Sequence, residues 1–265
     1  MTDHQRVQLQ PAYVIHQRPY RDTSALVEVF SENHGRCTLV AKGVKRPKSK
    51  IRGLLQPFQP LLLSWVSRSE LGTLTDAELF ARPVMLKSRY LASAFYLNEL
   101  IHYFLHRNDP HDELFNRYHT TLGQLHRLTG TREDDLMWQV ILRRFELELL
   151  QSIGYGLVLD HDVKTRSPVA AGSFYDYQLG HGPVRILDEH DEQQGIRISG
   201  VTLLDLMDDR RLLAKIQQPD EALLQILREA KRLLRSVIDY HLGPKTLHSR
   251  QLVTGLSRPS PELEG

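Results

Sequence analysis

The spacing of apolar residues changes once along this chain, at Arg82-Pro83, and that change restricts the fold more than any other feature. Before it, apolar residues come in short runs or alternate with polar ones, the period of strands. After it they recur at three and four residues, the period of amphipathic helices. A chain that places its strands first and its helices second reads as α+β, a β-domain followed by a mainly helical one.

Five strand candidates precede the change: 7–17, 25–30, 36–41, 61–66 and 72–80, with Asn33-His34-Gly35 as a turn between the second and third. Five short strands are the count of an OB-type Greek-key barrel, and an SH3-like barrel has the same count. After Arg82-Pro83, Leu91, Ala94, Phe95, Leu97, Asn98, Ile101 and Leu105 predict one helix, ended by Asn108-Asp109-Pro110. Leu114 to Leu128 predict a second, stopped by Gly130. Thr131-Arg132-Glu133-Asp134 opens a third with acids in its first turn, and Gly154-Tyr155-Gly156 closes it. Helical period is lost over 157–198, where Gly and Pro predict loops and a few short strands. It resumes at about 202–206 and 219–240, with a last short helix over 247–252. The expected organisation is 1–82, 83–256 with the irregular segment inside it, and a frayed tail at 257–265.

Charge is distributed less evenly than its total suggests. The 34 Lys and Arg nearly balance the 32 Asp and Glu, for a net +2. Yet residues 40–53 carry six cations, Lys42, Lys45, Arg46, Lys48, Lys50 and Arg52, and no acid stands between Glu32 and Glu70. A basic, Gly- and Pro-punctuated loop on a small β-domain suits a polyanion, most simply a nucleic-acid backbone; the plain alternative is a solvated loop. Arg36, just before it, joins the candidate contacts. Among the aromatics Tyr20, beside Arg18 and Arg21, is the one expected at the surface. With so few stacking platforms, binding is expected to be backbone-dominated and independent of sequence.

A second group of cations lies in the helical part. Arg143 and Arg144 are adjacent, and Arg228, Lys231, Arg232 and Arg235 follow the i, i+3, i+4, i+7 spacing of one helix face. Arg beside an apolar groove suits a peptide ending in a carboxylate next to an aromatic ring, because guanidinium grips carboxylate through two parallel hydrogen bonds. Such a pocket is expected near Arg143, Arg144 and Leu147, with one arginine of the pair turned toward the core.

Other function classes find little support. No apolar run approaches the ~20 residues that span a bilayer, and the polar N-terminus does not read as a signal peptide. The single cysteine, Cys37, excludes an internal disulfide and a cysteine-based zinc site, and a reducing cytoplasm is the expected compartment. No phosphate-binding Gly-x-x-x-x-Gly-Lys, His-Glu-x-x-His or Gly-x-Ser-x-Gly is present. The acidic run from Asp188 to Glu192 reads as a hairpin tip before it reads as a nuclease cation site. No enzyme activity, cofactor or metal is expected.

Several segments, in order, resemble the bacterial RecO family of recombination mediators. They are Tyr20-Arg21-Asp22-Thr23-Ser24, Val40-Ala41-Lys42-Gly43 and Leu55-Gln56-Pro57-Phe58-Gln59-Pro60 in the β-part. Tyr96-Leu97-Asn98-Glu99-Leu100, Arg143-Arg144-Phe145-Glu146, Gly154-Tyr155-Gly156, Lys231-Arg232-Leu233-Leu234, Tyr240-His241-Leu242-Gly243 and Lys245-Thr246-Leu247-His248-Ser249-Arg250 follow. The resemblance implies an OB-fold and a helical domain, binding of single- and double-stranded DNA, and annealing of complementary strands. It also implies two direct partners, RecR and the C-terminal tail of the single-stranded DNA-binding protein, and through them the loading of RecA. Many relatives carry a four-cysteine zinc module after the Gly-Tyr-Gly turn. Here that region has no cysteine, and packing by Phe174, Tyr175 and Tyr177 is expected to replace the metal. A generic RNA- or DNA-binding OB protein, and a helical adaptor without a DNA role, are the competing readings.

Overall fold

The structure is a computed structural model that describes residues 5–67, 70–188 and 194–250. The acidic residues at 189–192 and the expected tail at 257–265 lie outside the described residues. By compactness the chain divides into two units, residues 1–126 with 246–265, and residues 127–245.

The first unit begins with five strands: β1 (Gln5–Tyr20), β2 (Ser24–Ser31), β3 (Gly35–Ala41), β4 (Leu61–Ser67) and β5 (Leu71–Leu79). They close a barrel in the order β1-β2-β3-β5-β4. β3 and β5 pair in parallel and the other neighbours antiparallel. That order is an OB-type barrel, which decides between the two small barrels the strand count allowed. Every strand of the closed barrel has two neighbours, and β1, the longest, reaches its two by bending. Its register slips between Val7 and Gln10 against β4, and between Val14 and His16 against β2. At the first slip Leu9 adopts φ 48° and its N–H turns to the Ser64 hydroxyl at 3.0 Å. Val27, Val29, Leu39, Leu61, Leu63 and Trp65 fill the interior.

Helices α1 (Ser88–Phe104) and α2 (Asp112–Arg127) follow the barrel. Asn98 of α1 donates to the Ile15 carbonyl of β1 at 3.1 Å and accepts from the Tyr118 hydroxyl at 2.6 Å. Glu28 of β2 gathers three side chains: Arg36 at 2.9 Å, His102 of α1 at 2.8 Å and Arg107 at 3.7 Å. Burial raises the pKa of this carboxyl. The His102 contact and the Arg36 guanidinium outweigh that and hold it at about 2. The last described residues return to this unit, where Glu99 accepts from the His248 and Ser249 N–H groups at 3.0 and 2.8 Å and from the Ser249 hydroxyl.

In the second unit α3 (Arg132–Ser152) starts on the capping box Thr131/Asp134. The irregular segment forms a three-stranded sheet, β7-β6-β8, from β6 (Phe174–Gln178), β7 (Gly182–Arg185) and β8 (Ile196–Ser199). Helices α4 (Gly200–Met207), α5 (Asp209–Ile216) and α6 (Glu221–Leu242) complete it. Leu136 and Val140 of α3 pack with Leu212 and Ile216 of α5 and with Leu223, Ile226 and Leu227 of α6.

Candidate nucleic-acid interface

The basic loop joins β3 to β4, and it is pinned rather than loose. Val44 and Leu55 are buried in the barrel core, with Ile51 and Leu54 packed against it. Between these apolar pegs the backbone folds into successive turns: Arg46 N–H to the Gly43 carbonyl at 3.1 Å, Ser49 to Arg46 at 3.0 Å, Leu54 to Ile51 at 3.1 Å. Gly43 supplies the positive φ of 65° that starts the series, whereas Gly53 takes an ordinary φ in open space. Pegs inward force the charges outward. Lys42, Lys45, Arg46, Lys48, Lys50 and Arg52 are all exposed.

The β1–β2 turn stands against this loop. The Lys45 N–H donates to the Thr23 carbonyl at 2.9 Å. Tyr20, half-buried at the end of β1, has the Arg21 guanidinium 5.2 Å from its ring centroid, and Arg21 itself sits at φ 53°. One end of the barrel therefore gathers the loop cations, Arg21 and a half-exposed aromatic ring. Arg36 does not join them. It is the second residue of β3, at the far end of that strand, pairs with Glu28 and donates from Nε to the Leu105 carbonyl at 3.1 Å. Its expected place among exposed phosphate contacts is corrected: its charge is spent within the fold.

In the second unit the two expected cation clusters meet. Arg143 is the inward member of its pair. It is 7% exposed and its guanidinium lies 2.7 Å from the Glu146 carboxylate, itself 1% exposed. Arg143 is thus a buried partner of Glu146, not a surface grip. Arg144 and Leu147 are half-buried beside it. Desolvation, then the like charges of Arg143 and Arg235, pull the Lys231 ammonium below its ordinary pKa, while Glu146 acts the other way. So Arg143, Lys231 and Arg235 share one electrostatic neighbourhood across α3 and α6. Arg228 instead pairs with Glu221 at 2.9 Å, and Arg232 donates to the Arg197 carbonyl. Glu146, which no spacing argument singled out, is the carboxylate at the centre of this group.

Comparison with known proteins bears on both units. The family model "Recombination protein O N terminal" matches residues 6–82, and "Recombination protein O C terminal" matches 87–251. The DNA repair protein RecO of Nitrosococcus oceani is 47% identical over 253 residues, covering 96% of this chain and 95% of that protein. Those of Nitrosospira multiformis and Thiobacillus denitrificans are 43% and 39% identical, covering 95% and 98% of this chain and 96% and 97% of their own lengths. This chain belongs to the RecO family. Its first match ends where the apolar period changes, and its second spans the helices and the irregular segment.

In this RecO member the irregular segment is held by carboxylates. Asp162, 2% exposed, accepts the N–H groups of Lys164 at 2.8 Å, Thr165 at 2.7 Å and Arg185 at 2.6 Å. Burial raises its pKa, and these three donors more than reverse that. Asp176 does the same for Gln194 at 3.1 Å and Gly195 at 2.9 Å. Tyr175 and Tyr177 are buried anchors, as expected, and the Tyr175 hydroxyl accepts from the Ala170 N–H at 2.8 Å. Phe174 is not an anchor: it is 44% exposed, with the Arg197 guanidinium 4.6 Å over its ring. His161 turns one ring nitrogen to Asp160 at 2.7 Å and the other to Arg166 at 3.0 Å. Among the described residues no three His, Cys, Asp or Glu side chains are grouped to hold a metal ion.

Proposed function

We propose that this chain binds single- and double-stranded DNA through the barrel end formed by the β3–β4 loop and the β1–β2 turn, and that it anneals complementary strands. The observation that carries the reading is that all six loop cations are exposed while Val44 and Leu55 fix the loop to the core. A fixed array of cations grips phosphates at little entropic cost, and by touching the backbone it leaves pairing edges free. In this reading Lys42, Lys45, Arg46, Lys48, Lys50 and Arg52 contact phosphates, and Tyr20 with Arg21 offers one stacking surface.

The helical unit takes the C-terminal tail of single-stranded DNA-binding protein. Arg144, Lys231 and Arg235 provide the cationic rim beside Leu147, and Arg143 sets the local field from its buried pair with Glu146. With RecR, the chain then helps load RecA onto coated strands, working in the cytoplasm at the nucleoid during repair. Its part is binding and positioning, without a catalytic step of its own. The relatives' shared name, DNA repair protein RecO, supports this reading.

The experiment is annealing of complementary strands coated with single-stranded DNA-binding protein, either full-length or lacking its tail. Annealing that depends on the tail supports both sites. Annealing of naked strands alone overturns the tail assignment and leaves a basic OB protein.

A further inference from the structure

Three rings meet where α3 and α6 end. Gly154, at φ 83°, closes α3 in a Schellman turn: its N–H donates to the Gln151 carbonyl at 3.2 Å, and the Tyr155 N–H donates to the Leu150 carbonyl at 2.8 Å. These bonds fix the Tyr155 backbone, so its ring is aimed before any ligand arrives. The ring lies flat on that of His241, in the last turn of α6, with centroids 4.0 Å apart and planes 9° from parallel. Tyr240 stands edge-on to His241, at 5.0 Å and 79°. Its own ring lies against the hairpin between β6 and β7, where a Cβ at Gly180 would come 3.1 Å from the Tyr240 hydroxyl.

His241 covers one face of the Tyr155 ring, yet Tyr155 is 48% exposed, so the face turned away from His241 is open to solvent. A lone tyrosine on a surface needs no explanation. A tyrosine held flat on a second ring and open on its other side is the end of a stack, and what extends a stack is another flat π system. Burial lowers the His241 pKa, so the imidazole is neutral at physiological pH and the pair carries no charge. Filling the open face therefore releases no counterions, unlike a phosphate contact.

We infer that Tyr155, backed by His241, is a stacking platform for one unpaired base of single-stranded DNA. The inference rests on the DNA-binding reading above, and it gives the second unit a contact of its own with the strand. Stacking uses the face of a base and leaves its pairing edge free, so the site accepts any sequence and does not obstruct annealing. It also tells a strand from a duplex, because inside a duplex each base has both faces covered by its neighbours.

The test is equilibrium binding of the full chain to an oligothymidylate and to a long duplex, with Tyr155→Leu and Tyr155→Phe beside the wild type. Leucine keeps apolar bulk and removes the π-face; phenylalanine keeps the face. Tyr155→Leu should bind the single strand about tenfold more weakly, the scale of one stacked base. Its duplex affinity, and the salt slope of its single-strand binding, should equal those of the wild type. Tyr155→Phe should bind as the wild type does. In the wild type itself, ultraviolet cross-linking of a strand carrying 5-iododeoxyuridine, read by peptide mass spectrometry, should attach a base to Tyr155. No cross-link at Tyr155, equal losses on strand and duplex, or unchanged single-strand affinity in Tyr155→Leu overturns the inference; the last is the result expected if a guanidinium from a protein partner takes the ring instead. The loop reading fails separately. If replacing Lys45, Arg46, Lys48 and Lys50 with Ala leaves strand affinity unchanged while Tyr155→Leu lowers it, the platform stands and the loop does not; the opposite pair of results keeps the loop and sinks the platform.

Discussion

The Lys45 N–H donates to the Thr23 carbonyl at 2.9 Å, joining the most basic loop of the chain to the turn that follows Tyr20. This bond uses the Lys45 backbone, so its side chain can be replaced without breaking it. Changing Lys45, Arg46, Lys48 and Lys50 to Ala together should leave the thermal midpoint within a few degrees of wild type, as exposed side chains do. It should reduce single-strand affinity at least a hundredfold at low salt. The slope of log K against log[salt] should fall by up to about 3, at ~0.7 for each phosphate no longer neutralised. Titration at four salt concentrations reads both effects, and an unchanged slope would remove the loop from the interface.

Glu28 makes stability depend on acid. Its folded pKa is about 2 against an ordinary 4.5, so the native state favours the ionised form. That contribution is complete above pH 4.5 and is lost as pH falls through about 2. The shift corresponds to roughly 3 kcal/mol. Glu28→Gln should unfold several degrees lower at pH 7. The gap to wild type should close between pH 5 and pH 2 in a series of thermal melts, and a gap constant with pH would show that another group holds this contact.

Two glycines differ in a way a melt resolves. Gly35→Ala meets both a φ of 61° and the Asp109 carbonyl at 1.9 Å, and should cost at least ~2 kcal/mol. Gly53→Ala, in open space at ordinary φ, should fall within about 0.5 kcal/mol of wild type. Urea denaturation of both variants checks the pair.

The buried arginine and its neighbour should separate stability from partner binding. Arg143→Ala strands the Glu146 carboxylate and should cost about 3–5 kcal/mol. Arg144→Ala should cost less than 1 kcal/mol and weaken binding of a tail peptide by about tenfold, the scale of one charge-assisted contact. Calorimetry on the peptide, alongside denaturation, distinguishes these outcomes; equal peptide loss with no stability difference would reverse the roles given to the two residues.

Asp162 should behave as a structural acceptor. Asp162→Asn replaces one acceptor oxygen with a donor facing backbone N–H groups, and should cost about 3 kcal/mol. Amide exchange at Lys164, Thr165 and Arg185 should accelerate first, and protection at those three amides equal to wild type would refute the role.

Strand existence was legible because 25–30, 36–41 and 61–66 keep one face apolar, and all three match β-strands. Strand order was not. The parallel pairing of Thr38 with Leu71 and Val40 with Thr73 depends on barrel closure, which no local pattern encodes. α5 escaped notice because it has only eight residues between α4 and α6, and Asp208 both ends α4 and caps α5. The orientation of Arg143 did carry a signal. It lies seven residues after Leu136 and three after Val140, on the apolar face, with Glu146 three further. Charge density identified the basic loop, whereas Arg36 looked equivalent only because its partner Glu28 lies on another strand.

Glu99 accepts the N–H groups of His248 and Ser249, so the first unit is completed by residues made after the whole second unit. During synthesis, barrel, α1 and α2 emerge from the ribosome with that acceptor lacking its protein donors. It stays so until some 120 further residues have been translated. Cleavage between the units would therefore not release two finished halves: the amino-terminal fragment would lack its own last piece, and the carboxy-terminal fragment would carry it away.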